Sequence, residues 1–376
     1  MKIILAAGGS GGHIFPAVAL AAELKKRGIK DIFFVSSKRR LDKSILDAQK
    51  HRCFFLSVNP LPGGFKPLGF FVFAIKFFVD MVRAGGIVLK IRPDVVVGFG
   101  GYSSCAIAVT AWIFKIPVMV HEQNIEPGIA NKMLSRLAKR IAISFRGAEG
   151  CFGYVKEKIF YSGNPLRMDI LFNDRKKSAE KLGIASDKFT VLVIGGSQGA
   201  SFLNKIASEC ALVIKERMGD MAQFIHITGR QNDERIREFY RVNKINGKVY
   251  AFLENIADAY AASDVAVSRS GAAAIFELAF YGKPMILVPY PNPKNSQKHN
   301  AVYFSKNGAA LLREEKELDC NGLASDVIKF LNNESYRADM AKAALKLAVP
   351  EAGSVLAEEV IKMAKCRAKA CLCRCE

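Results

Sequence analysis

The sequence lacks the features of a secreted, disulfide-bonded protein. Its N-terminus has a single lysine and then a β-like run that ends in glycines, without the apolar segment and small-residue cleavage site of a signal peptide. Five of the nine cysteines lie far apart, without the paired spacing of a disulfide framework; they are Cys53, Cys105, Cys151, Cys210 and Cys320. Both absences predict a chain that stays in the reducing cytoplasm.

Long uncharged apolar segments are also scarce. Val95 to Phe114 carries no charge, but glycines and serines at 98–104 interrupt it, which favours a strand, a polar turn and a buried helix. Leu68 to Leu89 carries Lys76, Asp80 and Arg83 at helical spacing, and these charges would be costly in hydrocarbon. This second segment predicts an amphipathic helix that either packs on its own domain or lies on a membrane surface.

Acidic residues are outnumbered by basic ones. The 376-residue chain has 35 Asp and Glu against 55 Lys and Arg, which gives a formal net charge of +20. Such a surface attracts nucleic acid, acidic lipid headgroups or phosphorylated substrates, although solubility alone is another explanation. The length and the 50% hydrophobic content predict two domains with buried cores.

Apolar, β-branched runs alternate with helical patterns along the chain. The predicted strands are 2–6, 31–36, 93–98, 117–120, 190–194, 223–228, 249–252, 264–268 and 284–289. This alternation predicts right-handed βαβ units in doubly wound parallel sheets, that is, an α/β fold. Because each half opens with a strand, a glycine turn and a helix, we expect two similar domains that face a cleft.

The two glycine turns do not match the known nucleotide motifs. The first, GGSGGH at 8–13, has Ile14 where a dinucleotide fingerprint needs glycine, and the second, GGSQGA at 195–200, fails at Ser197. Neither has the lysine of a P-loop. Each turn either offers backbone N–H groups to a diphosphate or only permits tight strand-to-helix packing. His13 lies at a helix start, where the dipole disfavours imidazolium, and is a candidate general base.

Four further motifs follow predicted strands at the edge where such sheets bind ligands. They are GFGGYSS at 98–104, HEQN at 121–124, GNPLR at 163–167 and SRSGAAAIFELAFYGKP at 268–284. In the last motif, Glu277 lies two turns into a helix. It is either a carboxylate for a ribose diol or an ordinary solvent-facing glutamate.

These motifs, together with PGIANK at 127–132 and QKHNA at 297–301, occur in the order and spacing of the MurG family of peptidoglycan glycosyltransferases, which residues 2 to about 345 resemble. The resemblance implies a GT-B fold of two Rossmann-like domains. It also implies inverting transfer of N-acetylglucosamine from UDP-GlcNAc to the 4-hydroxyl of MurNAc in undecaprenyl-diphospho-MurNAc-pentapeptide (lipid I), giving lipid II, with no metal or other cofactor. A UDP-GlcNAc 2-epimerase and a nonenzymatic nucleotide-sugar or nucleic-acid binding protein are the alternatives.

The resemblance also implies site residues. His13 is the expected base, with Glu122 as its partner or substitute, and no nucleic acid is expected to bind. The expected substrate contacts are Ser10, Gly11, Gly12, Tyr102, Asn124, Arg167, Ser197, Gln198, Leu253, Arg269, Ala272, Ala273, Ala274, Ile275, Phe276, Glu277, Gln297 and Asn300. Ser10 keeps the hydroxyl of the family's usual threonine, whereas Ala274 and Phe276 replace the hydroxyl residues often found there.

Domain roles follow from the same resemblance. Residues 1–164 are predicted to bind the acceptor and a membrane, and 165–340 to bind UDP-GlcNAc. A C-terminal helix at about 341–365 is expected to pack back onto the first domain. The patch formed by Phe65, Phe70, Phe71 and neighbouring lysines predicts peripheral attachment to the anionic cytoplasmic face of the cell membrane. The Cys-rich basic tail, 366–376, predicts either a disordered or membrane-contacting extension or a soft-metal site.

Overall fold

The chain folds into two compact α/β units. The computed structural model describes residues 1–48, 51–57, 67–167, 170, 174–195, 200–229, 233–291 and 297–372. One unit comprises Met1–Arg167 and Pro350–Glu376, and the other comprises Met168–Val349.

The first unit is built on a seven-stranded sheet in which every described pairing is parallel, with strand order β3-β2-β1-β4-β5-β6-β7. Its strands are β1 (Lys2–Ala6), β2 (Asp31–Ser37), β3 (Arg52–Leu56), β4 (Val95–Gly98), β5 (Val118–Glu122), β6 (Arg140–Ile143) and β7 (Ile159–Tyr161). β1 and β4 are almost wholly apolar because helices cover both faces of the central sheet. The chain order reverses between these two strands, and in such sheets ligands bind beyond the carboxyl ends at that position.

Among the described residues of this unit, six α-helices pack around the sheet. They are α1 (Gly11–Lys26), α2 (Arg40–Ala48), α3 (Pro67–Ile91), α4 (Tyr102–Ile113), α5 (Ile129–Ser135) and, from the C-terminal region, α14 (Ala352–Leu372). A 3₁₀ segment, Arg146–Lys158, joins β6 to β7. Leu5 of β1, Leu20 of α1 and Val360 of α14 belong to one buried core, so the end of the chain completes the N-terminal unit.

The second unit repeats this plan with a six-stranded sheet of order β10-β9-β8-β11-β12-β13, again parallel in every described pairing. Its strands are β8 (Phe189–Ile194), β9 (Ala222–Ile227), β10 (Gly247–Tyr250), β11 (Val265–Ser268), β12 (Met285–Leu287) and β13 (Ala310–Leu312). Its helices are α6 (Arg175–Leu182), α7 (Ser201–Met218), α8 (Asp233–Val242), α9 (Ile256–Ala262), α10 (Ala272–Phe280), α11 (Gln297–Lys306), α12 (Cys320–Asn332) and α13 (Glu334–Leu347). The predicted fold class, two doubly wound parallel sheets, is confirmed. Four short strands, β3, β6, β7 and β13, were not predicted, since three to five residues carry too little pattern.

The C-terminal helix differs from the expectation of one helix at about 341–365. The structure has two helices there, α13 and α14, separated at Ala348 to Glu351. Pro350 accounts for the break, because the residue before a proline is disfavoured in the α region and proline itself donates no N–H. α14 continues to Leu372 through Cys366, so the first part of the expected tail is helical. Cys373 and Cys375 lie outside the described residues.

α3 has an unusual distribution of side chains. Its apolar residues Phe71 and Phe78 are 63% and 69% exposed, whereas its acidic residue Asp80 is fully buried. Asp80 accepts hydrogen bonds from the Ser57 amide, at 3.1 Å, and from Arg83, at 3.4 Å, while Met81 on the same helix contacts Thr110 of α4. Within the described part of the chain, no helix combines the length and apolarity needed to cross a membrane. Phe65 lies outside the described residues.

Candidate active site

The first glycine turn brings the chain from β1 into α1. Gly9 has φ of +91°, a conformation that favours glycine, and Ser10 is the extended N-cap residue. In the described structure the Ser10 side chain makes no capping hydrogen bond, and the first turn of α1 contains no acidic residue. The N–H groups of Gly11 and Gly12 therefore lie at a helix start that is electrostatically suited to an anion.

The first glycine turn binds one ring nitrogen of His13. Its Nδ1 lies 3.1 Å from the Gly8 carbonyl oxygen and 3.3 Å from Ser10 Oγ. A carbonyl oxygen only accepts, so Nδ1 is the donor, and Nε2 of the neutral ring keeps its lone pair. Burial lowers the pKa of His13, while the Gly8 hydrogen bond and the charge of Asp42 act in the opposite direction. Burial is therefore the main reason why the ring is neutral, which is the form that can act as a base.

The GFGGYSS motif lies directly against His13. Gly100 and Gly101 have φ of +102° and +80°, and a Cβ at Gly100 would lie 3.0 Å from His13 Nε2. A Cβ at Gly101 would lie 2.5 Å from the Gly8 carbonyl oxygen, which is too close. Glycine is therefore required at 101 for close backbone approach, and at 100 it keeps a side chain from crowding Nε2. Tyr102 begins α4 and packs edge-to-face on Phe73 of α3, with ring centroids 6.0 Å apart.

The HEQN motif is organised around the buried carboxylate of Glu122. Oε1 accepts hydrogen bonds from the amide and side chain of Asn124, at 2.9 and 3.1 Å. Oε2 accepts from the Gly128 amide at 3.2 Å and from Asn131 Nδ2 at 2.8 Å. Burial raises the pKa of Glu122, and these four hydrogen bonds oppose that effect. The carboxylate thereby fixes the loop that carries Asn124, and Asn131 is a site residue that was not in the predicted set.

The GNPLR motif meets the same edge of the sheet. The Gly163 carbonyl lies 3.2 Å from His121 Nε2, which ties this motif to the end of β5. The Arg167 guanidinium lies 4.4 Å from the centre of the Phe15 ring, on the first turns of α1. A Cβ at Gly11 would meet the same Phe15 ring at 3.0 Å. The structure thus brings four predicted motifs of the first unit together at the carboxyl ends of its strands.

Asp42 is a second residue that was not predicted. It lies on α2, is fully buried, and its Oδ2 accepts hydrogen bonds from the Gly9 amide, at 2.8 Å, and from Ser36 and Ser37, at 3.2 and 2.5 Å. Ser36 and Ser37 occupy the place where a dinucleotide-binding fold carries its ribose-binding acid. Here the acid comes from the following helix and binds the glycine turn.

The second glycine turn is described only at its two ends. A Cβ at Gly195 would lie 3.0 Å from the Ala200 amide, so glycine is needed for the tight passage from β8 to α7. Asn204 of α7 hydrogen-bonds the Thr228 carbonyl at 2.8 Å and the ring of buried His226 at 3.2 Å. This network joins α7 to the end of β9 and was not predicted. The predicted contacts Ser197 and Gln198 lie outside the described residues.

α10 supplies a second helix start for an anion. Gly271 is its extended N-cap residue, and within the described structure its first turn has neither an acidic residue nor a side-chain cap. Glu277 on this helix is only 5% exposed and accepts a 2.7 Å hydrogen bond from the Tyr260 hydroxyl. The alternative of a solvent-facing glutamate is therefore wrong. The remaining predicted residues of this helix are Ala272, Ile275 and Phe276, which are buried, and Ala273 and Ala274, which are half-buried.

The other predicted contacts of the second unit have different surroundings. Arg269 is buried; it donates to the Val288 carbonyl at 3.0 Å and pairs with Glu315, so its guanidinium joins neighbouring segments. Asn300 donates to the Ser270 carbonyl at 3.1 Å, and Gln297 accepts from the Tyr290 amide at 3.1 Å. Leu253 is half-buried in the loop after β10.

The chain is similar to known proteins along nearly its whole length. Residues 3–143 match the glycosyltransferase family 28 N-terminal domain, and residues 190–356 match its C-terminal domain. The chain is 32% identical to UDP-N-acetylglucosamine–N-acetylmuramyl-(pentapeptide) pyrophosphoryl-undecaprenol N-acetylglucosamine transferase of Halothermothrix orenii, with 97% of this chain and 100% of the relative covered. It is 34% identical to the protein of the same name from Halalkalibacterium halodurans, with 97% and 100% covered.

Solved structures show the same fold in more than one kind of protein. The crystal structure of Acinetobacter baumannii MurG has a TM-score of 0.75 and 24% identity, with 96% of this chain and 99% of that chain covered. UDP-GlcNAc 2-epimerase from Neisseria meningitidis, bound to UDP-GlcNAc, has a TM-score of 0.68 but 14% identity, with 96% and 100% covered. The fold alone does not separate transferase from epimerase, whereas the near-full-length sequence matches do. The chain belongs to the MurG family of glycosyltransferases.

Proposed function

We propose that the chain transfers N-acetylglucosamine from UDP-GlcNAc to the 4-hydroxyl of MurNAc in lipid I and so produces lipid II. The observation that carries this proposal is the near-full-length similarity to transferases whose names state this reaction. The close approach of Gly100 to His13 and the contact of Arg167 with Phe15 on the same helix support it from the side of chemistry. The first unit would bind the acceptor, and the second unit would bind the nucleotide.

His13 is the proposed general base. Its Nε2 would take the proton of the acceptor 4-hydroxyl as that oxygen attacks the anomeric carbon and the bond from this carbon to the diphosphate breaks. The electron pair leaves with UDP. Two observations support this role: burial lowers the pKa of His13 and so favours the neutral ring, and position 100 has no side chain that would crowd Nε2. That the reaction proceeds without a metal stays a prediction.

The negative charges of the two diphosphates need donors. We assign to this task the helix starts of α1 and α10 and the guanidinium of Arg167. Arg269 is less suited to it, because its guanidinium binds the Val288 carbonyl and Glu315. Glu122 suits a positioning role better than that of a base, since its two oxygens accept four hydrogen bonds from its own loop region.

Glu277 is the proposed partner of the UDP ribose. It lies within α10, the helix whose start suits the nucleotide phosphates, and the Tyr260 hydroxyl orients its carboxylate. Ionised carboxylate oxygens accept hydrogen bonds from neighbouring hydroxyls, which is the chemistry that a ribose diol presents.

A lipid-linked acceptor gives the exposed face of α3 a role. Phe70, Phe71, Ile75 and Phe78 are exposed along this helix, and Trp112, Ile113 and Phe114 are exposed at the end of α4. Lys76 and Lys115 accompany them. Apolar insertion combined with attraction to acidic headgroups would hold the protein on the anionic cytoplasmic surface of the membrane.

One assay tests the function. The protein is incubated with radiolabelled UDP-GlcNAc and a lipid I analogue, and the label is followed by lipid extraction and chromatography. Label in the lipid, dependent on the analogue, is the expected result. Label that appears in UDP-N-acetylmannosamine instead would favour an epimerase, and unchanged UDP-GlcNAc would favour a binding protein.

A further inference from the structure

Asp42 holds the backbone of the first glycine turn. Its Oδ2 accepts the Gly9 amide at 2.8 Å, while Arg39, on the residue stretch leading into α2, donates from Nη1 to the Gly9 carbonyl at 3.0 Å. The N–H and the C=O of Gly9 are therefore both bound by side chains from the start of α2 and the residue just before it. Gly9 has φ of +91°, so these two contacts fix a backbone conformation that is otherwise weakly determined.

This turn in turn holds His13. The Gly8 carbonyl, which accepts the His13 Nδ1 hydrogen bond at 3.1 Å, belongs to the peptide unit whose N–H is the Gly9 amide. A peptide unit is planar, so fixing its N–H also fixes the direction of its C=O. Asp42 and His13 consequently bind the two ends of a single peptide group.

The carboxylate of Asp42 is only half satisfied by the surrounding protein. Three donors bind Oδ2, whereas buried Oδ1 has no hydrogen-bond partner among the described residues. A buried carboxylate with an unsatisfied oxygen is costly. The charge of Asp42 already acts on His13 in the free protein, where it favours the imidazolium.

We propose that Asp42 is a positioning residue for glycosyl transfer: through the Gly8–Gly9 peptide it orients the His13 ring, and its charge stabilises the imidazolium that forms when Nε2 takes the acceptor proton. This inference rests on the proposed function. It resembles the support that a carboxylate gives to a catalytic histidine elsewhere, with a peptide group inserted between the two side chains. Among the charged groups of the surrounding elements, Arg39 binds the Gly9 carbonyl, Arg167 lies over the Phe15 ring of α1, and Glu122 accepts from Asn131. α2 itself also carries Arg40, Lys43 and Asp47.

The test compares the pH dependence of kcat/KM in the full-length protein and three variants. Asp42→Asn removes the charge and keeps the shape, Asp42→Glu keeps the charge, and Asp31→Asn removes a charge from the exposed start of β2, where Asp31 pairs with Arg52.

For Asp42→Asn we expect kcat to fall by about 10- to 100-fold and the acid limb of the pH profile to move to lower pH by about half a unit or more, because His13 loses a nearby negative charge. For Asp42→Glu we expect less than about a tenfold loss of kcat and an unmoved acid limb. Asp31→Asn should match the wild type.

Each outcome decides the proposal. A folded Asp42→Asn variant whose acid limb coincides with that of the wild type would overturn the electrostatic role, and one with unchanged kcat would overturn the positioning role. If Asp42→Asn does not fold, Asp42→Glu remains decisive, since a folded glutamate variant with a shifted limb or a loss beyond tenfold contradicts the proposal. Wild-type transfer into lipid is measured in the same series, so failure of the proposed function is seen separately.

Discussion

His13 Nδ1 lies 3.1 Å from the carbonyl oxygen of Gly8, which sets the tautomer of the ring. Nε2 carries the lone pair, and a Cβ at Gly100 would lie 3.0 Å from it. The two glycine motifs therefore have separate tasks. One orients the imidazole, and the other leaves its basic atom accessible.

Replacement of this imidazole tests the base. For His13→Gln we expect kcat to fall by about 10²- to 10⁴-fold, because the acceptor hydroxyl loses its proton acceptor. In the wild type, kcat/KM should hold steady as the pH falls through 6.5 and decline only at lower pH, since the pKa of His13 is lowered and the neutral ring is the active form. Steady-state transfer of labelled GlcNAc between pH 5 and 8 measures both effects.

His51→Gln is the matched control, because it removes an imidazole that packs on Phe34 outside the site. Its kcat should stay near that of the wild type. Near-normal turnover by His13→Gln would remove His13 as the base.

Gly100→Ala tests the space in front of Nε2. The new methyl group would lie 3.0 Å from Nε2, and the φ of +102° is strained for alanine at a cost of about 1–3 kcal/mol. We expect kcat to fall by about 10²-fold or more, because small displacements at a reacting centre have large effects. Gly150→Ala, with no atom within 4 Å of the added Cβ, is the control and should keep its activity. A fully active Gly100→Ala enzyme would mean that Nε2 is approached from elsewhere.

Some of the site could be predicted from the sequence because it depends on local pattern. Strand, glycine turn and helix lie within a dozen residues of one another, so the positions of His13 and Gly100 at the sheet edge followed from the alternation of strands and helices. Asp42 could not be found in this way. Asp42 lies 33 residues beyond Gly9. It reaches the glycine turn because β2, which precedes α2, pairs with β1.

Burial was the other property that the pattern did not settle. Glu277 has the spacing of either a surface or a buried glutamate, and Tyr260, which orients it, comes from a different helix. Asn131 binds Glu122 across the loop from β5 to α5, and Asn204 binds the carbonyl of Thr228 at the end of another strand. Amide side chains are common in loops and helices, so their residue type carried no signal.

Glu277→Gln tests the ribose contact. A hydrogen bond to a charged group contributes about 1.5–3 kcal/mol, so we expect the Kd of UDP to rise by about 10- to 100-fold. The variant should also lose most of the wild-type preference for UDP over 2′-deoxy-UDP, as measured by calorimetry. Tyr260→Phe leaves the carboxylate but removes its 2.7 Å partner, and a smaller rise is expected. An unchanged preference in Glu277→Gln would place the ribose against another residue.

Buried histidines predict a loss of stability in acid. The pKa of His226 is lowered to about 3 and that of His121 to about 4, in both cases mainly by burial. Between these values and 6.5 the unfolded chain binds more protons, so the free energy of unfolding should decrease as the pH falls through this range. His226→Gln should reduce that slope by up to about 1.4 kcal/mol per pH unit. Urea unfolding at pH 7, 6 and 5 measures it; equal slopes in both proteins would show that His226 does not stay neutral in the fold.

Vesicle binding tests the exposed face of α3. Phe71→Ser combined with Phe78→Ser removes two side chains that are 63% and 69% exposed, and burial of each in the interface is worth about 1.5–3 kcal/mol. We expect the lipid concentration needed for half-maximal sedimentation with anionic vesicles to rise by about 100-fold or more, while transfer to a short-chain, water-soluble lipid I analogue stays near normal.

Met221→Ser combined with Val242→Ser is the control, because it removes two comparably exposed apolar side chains from the second unit. Since electrostatic attraction contributes to binding, higher salt should weaken the wild type as well. Equal sedimentation of the α3 variant and the wild type would assign membrane contact to another surface, and equal weakening in the control would show that the apolar contact is not specific to α3.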